Sequence, residues 1–286
     1  MTAYLNGQFL PIEEARISPL DRGFLFGDGA YEVIPVYSRR PFRIDEHLRR
    51  LQQTLDGIRL ANPHTADEWR ALVERIVAAN DFDDQSVYIQ VTRGADNKRD
   101  QAFPIGVPPT TFIFTAPLVT PSPAQREAGI AVISAPDNRW LRCDLKTVAL
   151  LANVLLRQQA VDAGCVETIM LRDGYLTEGA ASNIFVVKDG MLLAPPKDHR
   201  MLPGITYDVV LELAARHGMP HEVRDIPERE VRAADELWMT SSTKEVLPIT
   251  RLDGQPVGSG RPGPAAARMY AWYCAFRDDV MRKADV

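Results

Sequence analysis

Three prolines within ten residues divide this chain. The stretch "APLVTPSPAQ", residues 116–125, contains all three, and proline removes a backbone donor and interrupts regular structure. With 286 residues the chain is long enough for one large or two modest domains. We therefore expect a small N-terminal α+β domain over residues 1–116, an interdomain linker over 117–125, and a larger C-terminal domain over 126–286.

Helix-like and strand-like patterns follow each other in mixed order on both sides of this linker. "YLNGQFLP" predicts a hairpin with its turn at Asn-Gly, and "YEVIPVY" predicts a strand in which Pro35 marks an edge or a bulge. In "RIDEHLRRLQQTLDGIRL" the leucines recur at helical spacing. After the linker, a long helix is predicted from Lys146 to near Gly164, followed by several strands and further helices. The predicted fold class is α+β in both domains.

Composition excludes several classes of function. The net charge is −5 and the pI is about 5.6, which argues against nucleic acid or an anionic membrane surface as the partner. No apolar run approaches the roughly 20 residues that span a bilayer, and "MTAYLNGQFL" lacks the basic start and apolar core of a signal peptide. The three cysteines form no CxxC pair and the five histidines are scattered. We therefore expect a cytoplasmic protein without a metal site.

A lysine stands at the head of an apolar segment in "CDLKTVALLANVL", residues 143–155. Ten residues separate Lys146 from the next charged residue, Arg157, and most of them are apolar. One interpretation is the exposed first turn of a buried helix. The other interpretation is a lysine that reacts covalently. A cation opposes the macrodipole at a helix N-terminus, and covalently reactive lysines are those whose charged form is disfavoured by their surroundings. The segment alone leaves both interpretations open.

Four further features carry groups that bind phosphates or tune charges. Glu178, in "LTEGAASN", is either a solvated turn residue or a functional carboxylate. "GITYD", residues 204–208, precedes an apolar helix and either caps it or presents N–H groups to a phosphate. The hydroxyl-rich "TSSTKE", residues 240–245, allows the same two interpretations. His47 and Arg50 share one helix face, which is either solvated surface or an anion site.

Together these groups match the requirements of pyridoxal phosphate. Its aldehyde needs a lysine for a Schiff base, and its pyridine nitrogen needs a carboxylate that keeps it protonated. Its phosphate needs N–H and hydroxyl donors and a cation. Because the chain supplies each of these groups, the sequence predicts pyridoxal 5'-phosphate as the cofactor.

Several longer motifs point to one family. They are "DRGFLFGDGAYEV", "DEHLRRL", "RWLRCDLK", "TEGAASNIF" and "LPGIT", spread over nearly the whole chain. In order and wording they resemble the fold-type IV pyridoxal-phosphate enzymes, which include D-amino acid transaminases, branched-chain aminotransferases, (R)-amine transaminases and aminodeoxychorismate lyases. "VTRG" and "RDQAFP" bring the chain closest to the D-amino acid transaminases. The resemblance implies a two-domain fold, with a mixed sheet or pseudo-barrel in the C-terminal domain, and a homodimer.

The resemblance also implies roles for individual residues. Lys146 forms the Schiff base and moves the proton between the substrate Cα and the cofactor, Glu178 pairs with the ring nitrogen, and Arg50 binds the phosphate. The implied reaction is transamination of D-amino acids with 2-oxo acids by a ping-pong mechanism. The implied cofactor-binding set is Arg50, Lys146, Glu178, Ser182, Leu202, Ile205, Thr206 and Ser242. The implied substrate-binding set is Tyr31, Val33, Arg99 and Gln101.

Two positions depart from the family pattern. Gln101 stands where D-amino acid transaminases usually have the histidine of Arg-x-His, and Pro35 stands where a basic residue is common. Both changes remove charge or hydrogen-bonding capacity from the substrate side, whereas Arg99 is retained. Three alternatives to the D-amino acid activity stay open: an (R)-selective amine transaminase or an enzyme with both activities, an aminodeoxychorismate lyase, and a binding or scaffold protein without catalysis.

Overall fold

A computed structural model describes residues 1–282, which form two units. Unit 1 comprises Met1–Leu118 and Leu145–Leu150, and unit 2 comprises Val119–Asp144 and the chain from Leu151 onward. The chain therefore passes between the units three times rather than once. The stretch 145–150, which we expected in the C-terminal domain, belongs to unit 1.

Unit 1 is an antiparallel sheet with helices. In chain order its elements are β1 (Thr2–Leu5), β2 (Gln8–Pro11), a 3₁₀ turn (Ile12–Glu14), α1 (Arg22–Phe26), β3 (Gly29–Tyr37), β4 (Arg40–Pro41), α2 (Ile44–Gly57), α3 (Ala66–Ala78), β5 (Gln85–Thr92) and β6 (Thr110–Pro117). The strands lie in the order β2-β1-β6-β5-β3-β4, and every neighbouring pair is antiparallel. The predicted hairpin and the predicted strand at residues 31–37 are both confirmed.

One face of this sheet is covered by α2 and α3, whose buried side chains form a single cluster with alternate residues of β3 and β5. Alternation along β3 places Glu32 on the covered face and Tyr31 and Val33 on the opposite face. Pro35 is tolerated in β3 because its carbonyl, which accepts from Phe42 N at 2.8 Å, faces the two-residue strand β4. Its missing N–H therefore faces the short strand β4 and not the long strand β5. Because β4 lies outside β3 and the pairing with β5 has no bulge, the prediction of an edge strand or a bulge at Pro35 is wrong.

Unit 2 is a mixed sheet with helices. In chain order its elements are α4 (Pro123–Ala128), β7 (Ile130–Pro136), α5 (Leu151–Asp162), β8 (Glu167–Arg172), β9 (Tyr175–Gly179), β10 (Asn183–Lys188), β11 (Met191–Ala194), α6 (Ile205–Arg216), β12 (His221–Val223), α7 (Glu228–Arg232), β13 (Glu236–Ser241), β14 (Glu245–Leu252), β15 (Gln255–Pro256), α8 (Pro264–Arg277) and a π-helical turn (Asp278–Arg282). The strands lie in the order β12-β11-β10-β13-β14-β7-β8-β9, with β15 beside β14. Three pairs are parallel, so the predicted mixed sheet is confirmed. Helix α4 occupies part of the stretch expected as a linker.

The helix predicted from Lys146 to Gly164 starts later than expected. Helix α5 runs from Leu151 to Asp162, whereas residues 145–150 form no helix and bridge to β3. The prediction that Lys146 opens a buried helix is therefore wrong on both counts, because α5 also exposes several of its large apolar side chains. Within residues 1–282, no helix combines the length and the apolar character that crossing a membrane requires.

Candidate active site

Lys146 is held in place through its main chain. Its N–H donates to Thr54 Oγ1 of α2 at 3.1 Å, and its carbonyl accepts from Tyr31 N of β3 at 3.0 Å. Two residues later, Val148 N donates to Gly29 O at 3.0 Å. Both peptide groups that flank the lysine Cα are thus fixed by unit 1, and only the side chain is left to change its rotamer.

The amine of Lys146 lies on an aromatic surface. Nζ is 4.1 Å from the centroid of the Tyr31 ring, within the range of cation–π attraction. Tyr31 stacks on Tyr88 with ring centroids 5.7 Å apart, and Val33 is directly opposite Tyr88 in the register of β3 and β5. Burial raises the pKa of Tyr88 to about 12, so its hydroxyl stays protonated at neutral pH. Two predicted substrate residues, Tyr31 and Val33, therefore lie on the sheet face that carries the amine.

Arg50 belongs to a buried cluster on the opposite face of the sheet. Its Nε and Nη2 donate to the two carboxylate oxygens of Glu32 at 2.7 and 2.8 Å, and His47 Nδ1 lies 2.9 Å from the same carboxylate. Burial opposes ionisation of Glu32, but the charge and hydrogen bonds of Arg50 outweigh it and hold the pKa of Glu32 well below its usual range. Burial lowers the pKa of His47. This helix face is therefore an internal charge cluster and not a solvated surface.

Arg99 and Gln101 stand on the exposed loop between β5 and β6. The guanidinium carbon of Arg99 is 5.1 Å from the centroid of the Phe26 ring. The main chain of the loop is tied down by Arg22, which donates to three consecutive carbonyls, that of Gln101 among them at 3.0 Å. Unit 1 therefore anchors the main chain of this loop, and in the described part of the chain no hydrogen bond joins either predicted side chain to Tyr31.

Glu178 in β9 is buried rather than solvated, with 5% of its surface exposed. Oε1 accepts from Arg139 Nη1 and from Leu202 N, the latter at 3.2 Å, and Oε2 accepts from Asn183 Nδ2 at 3.3 Å. Burial raises the pKa of Glu178 to about 7 even though Arg139 lowers it. The solvated-turn interpretation is therefore wrong: this carboxylate is buried and is paired with Arg139.

Asn183 joins Glu178 to the start of helix α6. Besides its bond to Glu178, Nδ2 donates to Leu202 O at 2.9 Å. A Cβ built on Gly204, the residue that precedes α6, would lie 2.0 Å from Asn183 Oδ1. A side chain at this position would therefore displace the Asn183 amide that bonds Glu178. Two predicted cofactor residues, Glu178 and Leu202, are thus brought together within unit 2.

The other predicted cofactor residues of unit 2 lie in three places. Ile205 and Thr206 open α6 and are buried, and the N–H groups of a first helical turn have no acceptors within the helix. The Ser182 hydroxyl donates to Glu167 Oε2 at 2.9 Å. Ser242 is half-buried in the turn between β13 and β14. The start of α6 can therefore receive an anion, whereas the Ser182 hydroxyl already has an acceptor.

Comparison with known sequences identifies the family of the chain. Residues 29–252 match the sequence profile of the family described as Amino-transferase class IV. The chain belongs to this family. The D-alanine aminotransferase of Bacillus licheniformis is 38% identical over 264 residues, which are 92% of this chain and 93% of that protein. The D-alanine aminotransferase of Listeria monocytogenes serotype 4b is 36% identical over 274 residues, 96% of this chain and 95% of that protein.

Solved structures of class IV aminotransferases share the fold. The branched-chain amino acid aminotransferase of Escherichia coli superposes with a TM-score of 0.88 at 26% identity, covering 99% of this chain and 95% of that one. The branched-chain aminotransferase of the thermophilic archaeon Thermoproteus uzoniensis, solved with norvaline, superposes with a TM-score of 0.86 at 26% identity, covering 100% of this chain and 96% of that one. The predicted fold-type IV fold and the prediction of an aminotransferase are therefore confirmed, and the scaffold alternative is wrong.

Sequence reasoning missed three residues of this class IV aminotransferase that contact predicted cofactor residues. Arg139 and Asn183 both hydrogen-bond Glu178, and Glu32 holds Arg50. All three lay inside motifs that carried the resemblance, "RWLRCDLK", "TEGAASNIF" and "GAYEV". For Glu32 the alternation of β3 offered a signal, because it placed a carboxylate among buried apolar residues.

Proposed function

We propose that this class IV aminotransferase moves the amino group of D-amino acids to 2-oxo acids in two half-reactions, with pyridoxal 5'-phosphate as its cofactor. The observation that carries the proposal is 38% identity to a D-alanine aminotransferase over 92% of the chain. The branched-chain enzymes are 26% identical and support the reaction type rather than the choice of substrate.

The donor set fits this cofactor. Glu178 is a buried carboxylate whose pKa is raised to about 7 by burial, and such a group is stabilised by a cationic partner like a protonated ring nitrogen. Helix α6 begins at Ile205 with a hydroxyl residue, Thr206, at its second position, which suits a phosphate. When bound, pyridoxal phosphate supplies a ring that accepts the electron pair released at the substrate Cα.

Lys146 has two tasks in this proposal. Nζ would hold the cofactor through its aldehyde, and the same Nζ would serve as the base that takes the proton from the substrate Cα and later gives it back. Its main-chain bonds to Thr54 and Tyr31 restrict where the amine can swing, which lowers the entropy cost of the transfer. The ring of Tyr31, which stacks on Tyr88, lies against the amine.

The remaining cofactor residues divide between ring and phosphate. We assign the ring nitrogen to Glu178, and the flanks of the ring to Ser182 and Leu202. The phosphate is assigned to Arg50 and the start of α6, with further donors from the β13–β14 turn. The phosphate-binding set in this proposal is Arg50, Ile205, Thr206 and Ser242.

The substrate side rests on Arg99. An arginine binds a carboxylate through two charge-assisted hydrogen bonds, while the neutral Gln101 and Pro35 add no charge. Tyr31 and Val33 complete the proposed substrate surface. With a single cation for the carboxylate, the enzyme should also turn over a primary (R)-amine slowly, which keeps a dual D-amino acid and (R)-amine activity as the second candidate.

We also propose a cytoplasmic homodimer. In α5, Leu151, Val154 and Leu155 are 72%, 59% and 54% exposed, and a run of exposed large apolar side chains marks an interaction surface. This face supports a second copy of the chain as the partner, besides the amino donors and 2-oxo acids. Cys143, Cys165 and Cys274 are free thiols, which supports a reducing compartment.

A half-reaction screen tests the proposed function. Purified holoenzyme is mixed in turn with D- and L-amino acids and with (R)- and (S)-amines, and the cofactor absorbance is followed. D-amino acids should bleach it quickly and (R)-amines slowly, and a 2-oxo acid should restore it. Lys146→Ala is the control and should not respond. Reaction with L-amino acids alone would contradict the proposal, and release of pyruvate from aminodeoxychorismate over many turnovers without an amino acceptor would identify a lyase.

A further inference from the structure

Arg139 lies between two carboxylates in unit 2. Its Nε and Nη2 donate to Asp137 at 2.9 and 2.8 Å, and its Nη1 donates to Glu178 Oε1. Nη2 also donates to Arg200 O at 3.1 Å. The side chain is 7% exposed, and with acceptors on every side its planar fork is held in one orientation.

A second arginine offsets the charge of Asp137. Arg172 Nη2 pairs with Asp137 Oδ1 at 2.9 Å. The four charges therefore alternate in the order Arg172, Asp137, Arg139 and Glu178. Cys143 also acts on Arg139, and because burial raises the pKa of its thiol to about 11, it stays neutral at neutral pH. Arg139 is thus bound to both carboxylates, and at Glu178 its charge lowers the pKa whereas the charge of Asp137 raises it.

We propose that Arg139 is a positioning residue that keeps the proton shared by Glu178 and the cofactor's ring nitrogen on the nitrogen. The inference rests on the proposed function, in which Glu178 faces that nitrogen. The pair holds one proton in either arrangement: on the nitrogen beside a carboxylate, or on Glu178 beside a neutral ring. No proton enters or leaves the site, so the two arrangements differ only in where the proton sits.

The physical reason is the balance between burial and local charge. Burial penalises both members of an ion pair and favours the neutral arrangement. Arg139 contacts Oε1 directly and so stabilises the carboxylate more than it opposes the charge on the nitrogen. Leu202 N donates to the same oxygen, whereas Asn183 Nδ2 approaches Oε2 only to 3.3 Å. Oε2 is therefore the less satisfied oxygen and the one that can serve the ring nitrogen.

Without Arg139 the balance should reverse. Even with the guanidinium in place, burial raises the pKa of Glu178 to about 7. Removing the cation takes away the largest group that opposes this rise, so Glu178 becomes the preferred position for the proton. A ring without its proton accepts electrons less readily, and the removal of the substrate Cα proton slows.

Nitrogen-15 NMR of holoenzyme loaded with ring-labelled pyridoxal phosphate tests the inference. Wild type and Arg139→Lys, which retains the charge, should show a protonated ring nitrogen. Arg139→Gln, which retains a donor without the charge, should show the shift of a neutral pyridine and a slower half-reaction. Arg200→Gln is the matched control because its guanidinium pairs with Asp198 and Asp225 rather than with Glu178. It should resemble wild type.

The outcomes separate this inference from the proposed function. A ring nitrogen that stays protonated in Arg139→Gln, while the wild type is loaded and transaminates D-amino acids, overturns the inference alone. A neutral ring in Arg200→Gln overturns it too, because the effect would not depend on contact with Glu178. A wild type that takes up no cofactor overturns both proposals. If Arg139→Gln does not accumulate as folded protein, Arg139→Met takes its place with the same expected shift.

Discussion

Replacing Glu178 by glutamine should stabilise the cofactor-free protein at neutral pH while it removes the activity. Burial raises the pKa of Glu178 from its ordinary value of 4.5 to about 7 in the folded chain. The folded state therefore binds this proton more tightly than the unfolded state does. The resulting contribution to stability is complete below about pH 4.5 and is lost as the pH rises to about 7. Glutamine carries no such proton.

The size of the effect is set by that difference in pKa. One unit corresponds to about 1.4 kcal/mol, so the free energy of unfolding of the wild type falls by about 3 kcal/mol between about pH 4 and about pH 8 on account of Glu178. A glutamine amide has nearly the shape of the protonated carboxyl and keeps an acceptor for Arg139 and Leu202 N. Between about pH 4 and about pH 8, the free energy of unfolding of the variant should therefore rise relative to that of the wild type by the same amount.

Urea unfolding of the two cofactor-free proteins, at equal protein concentration and at about pH 4 and about pH 8, measures this difference. Glu127→Gln, at an exposed carboxylate in α4, is the control, and its difference from wild type should stay constant. A Glu178→Gln difference that stays constant or narrows would refute the reasoning. Added pyridoxal phosphate should make the wild type more stable than Glu178→Gln, because a ligand gives the largest stabilisation to the protein that binds it most tightly.

Other substitutions test the remaining parts of the site. Lys146→Ala should abolish transamination in a folded protein that still binds cofactor noncovalently, and borohydride reduction of the wild type with peptide mapping should label Lys146 and no other lysine. Arg99→Ala should raise the KM for D-amino acids at least about tenfold, since a charged bidentate contact is lost, whereas Gln101→Ala should change it little in the same steady-state assay. Leu155→Glu should convert the dimer to a monomer in light scattering, because it buries a charge in an apolar interface; a wild type that is already monomeric would exclude the dimer.

The parts of the site that follow from local chemistry were predictable from the sequence. Leucines at helical spacing identified α2, and a glycine before an apolar helix identified the start of α6. The strands around Glu178 were also readable, although the sequence left open a solvated turn at Glu178 itself, which lies within β9. In each case the residues that decide the structure lie within a few positions of the residue in question.

The parts that depend on distant partners were not predictable. The apolar run after Lys146 has no period that separates a helix from an extended segment. The extended conformation near Lys146 is set by β3, whose Tyr31 N and Gly29 O form hydrogen bonds with this segment. The bond from Arg139 to Glu178 joins residues 39 positions apart. A single sequence shows both residues but gives no sign that they meet.

The interleaving of the two units limits how such an enzyme can be recombined. The six residues 145–150 belong to unit 1 but are encoded between two pieces of unit 2. A chimeric gene that joined two relatives at Leu118 would take Thr54 and Gly29–Tyr31 from one parent and Lys146 from the other. The two partners of each hydrogen bond that holds the lysine would then come from different parent enzymes. Exchange of one unit between class IV aminotransferases therefore requires two inserts, with 145–150 moved together with 1–118.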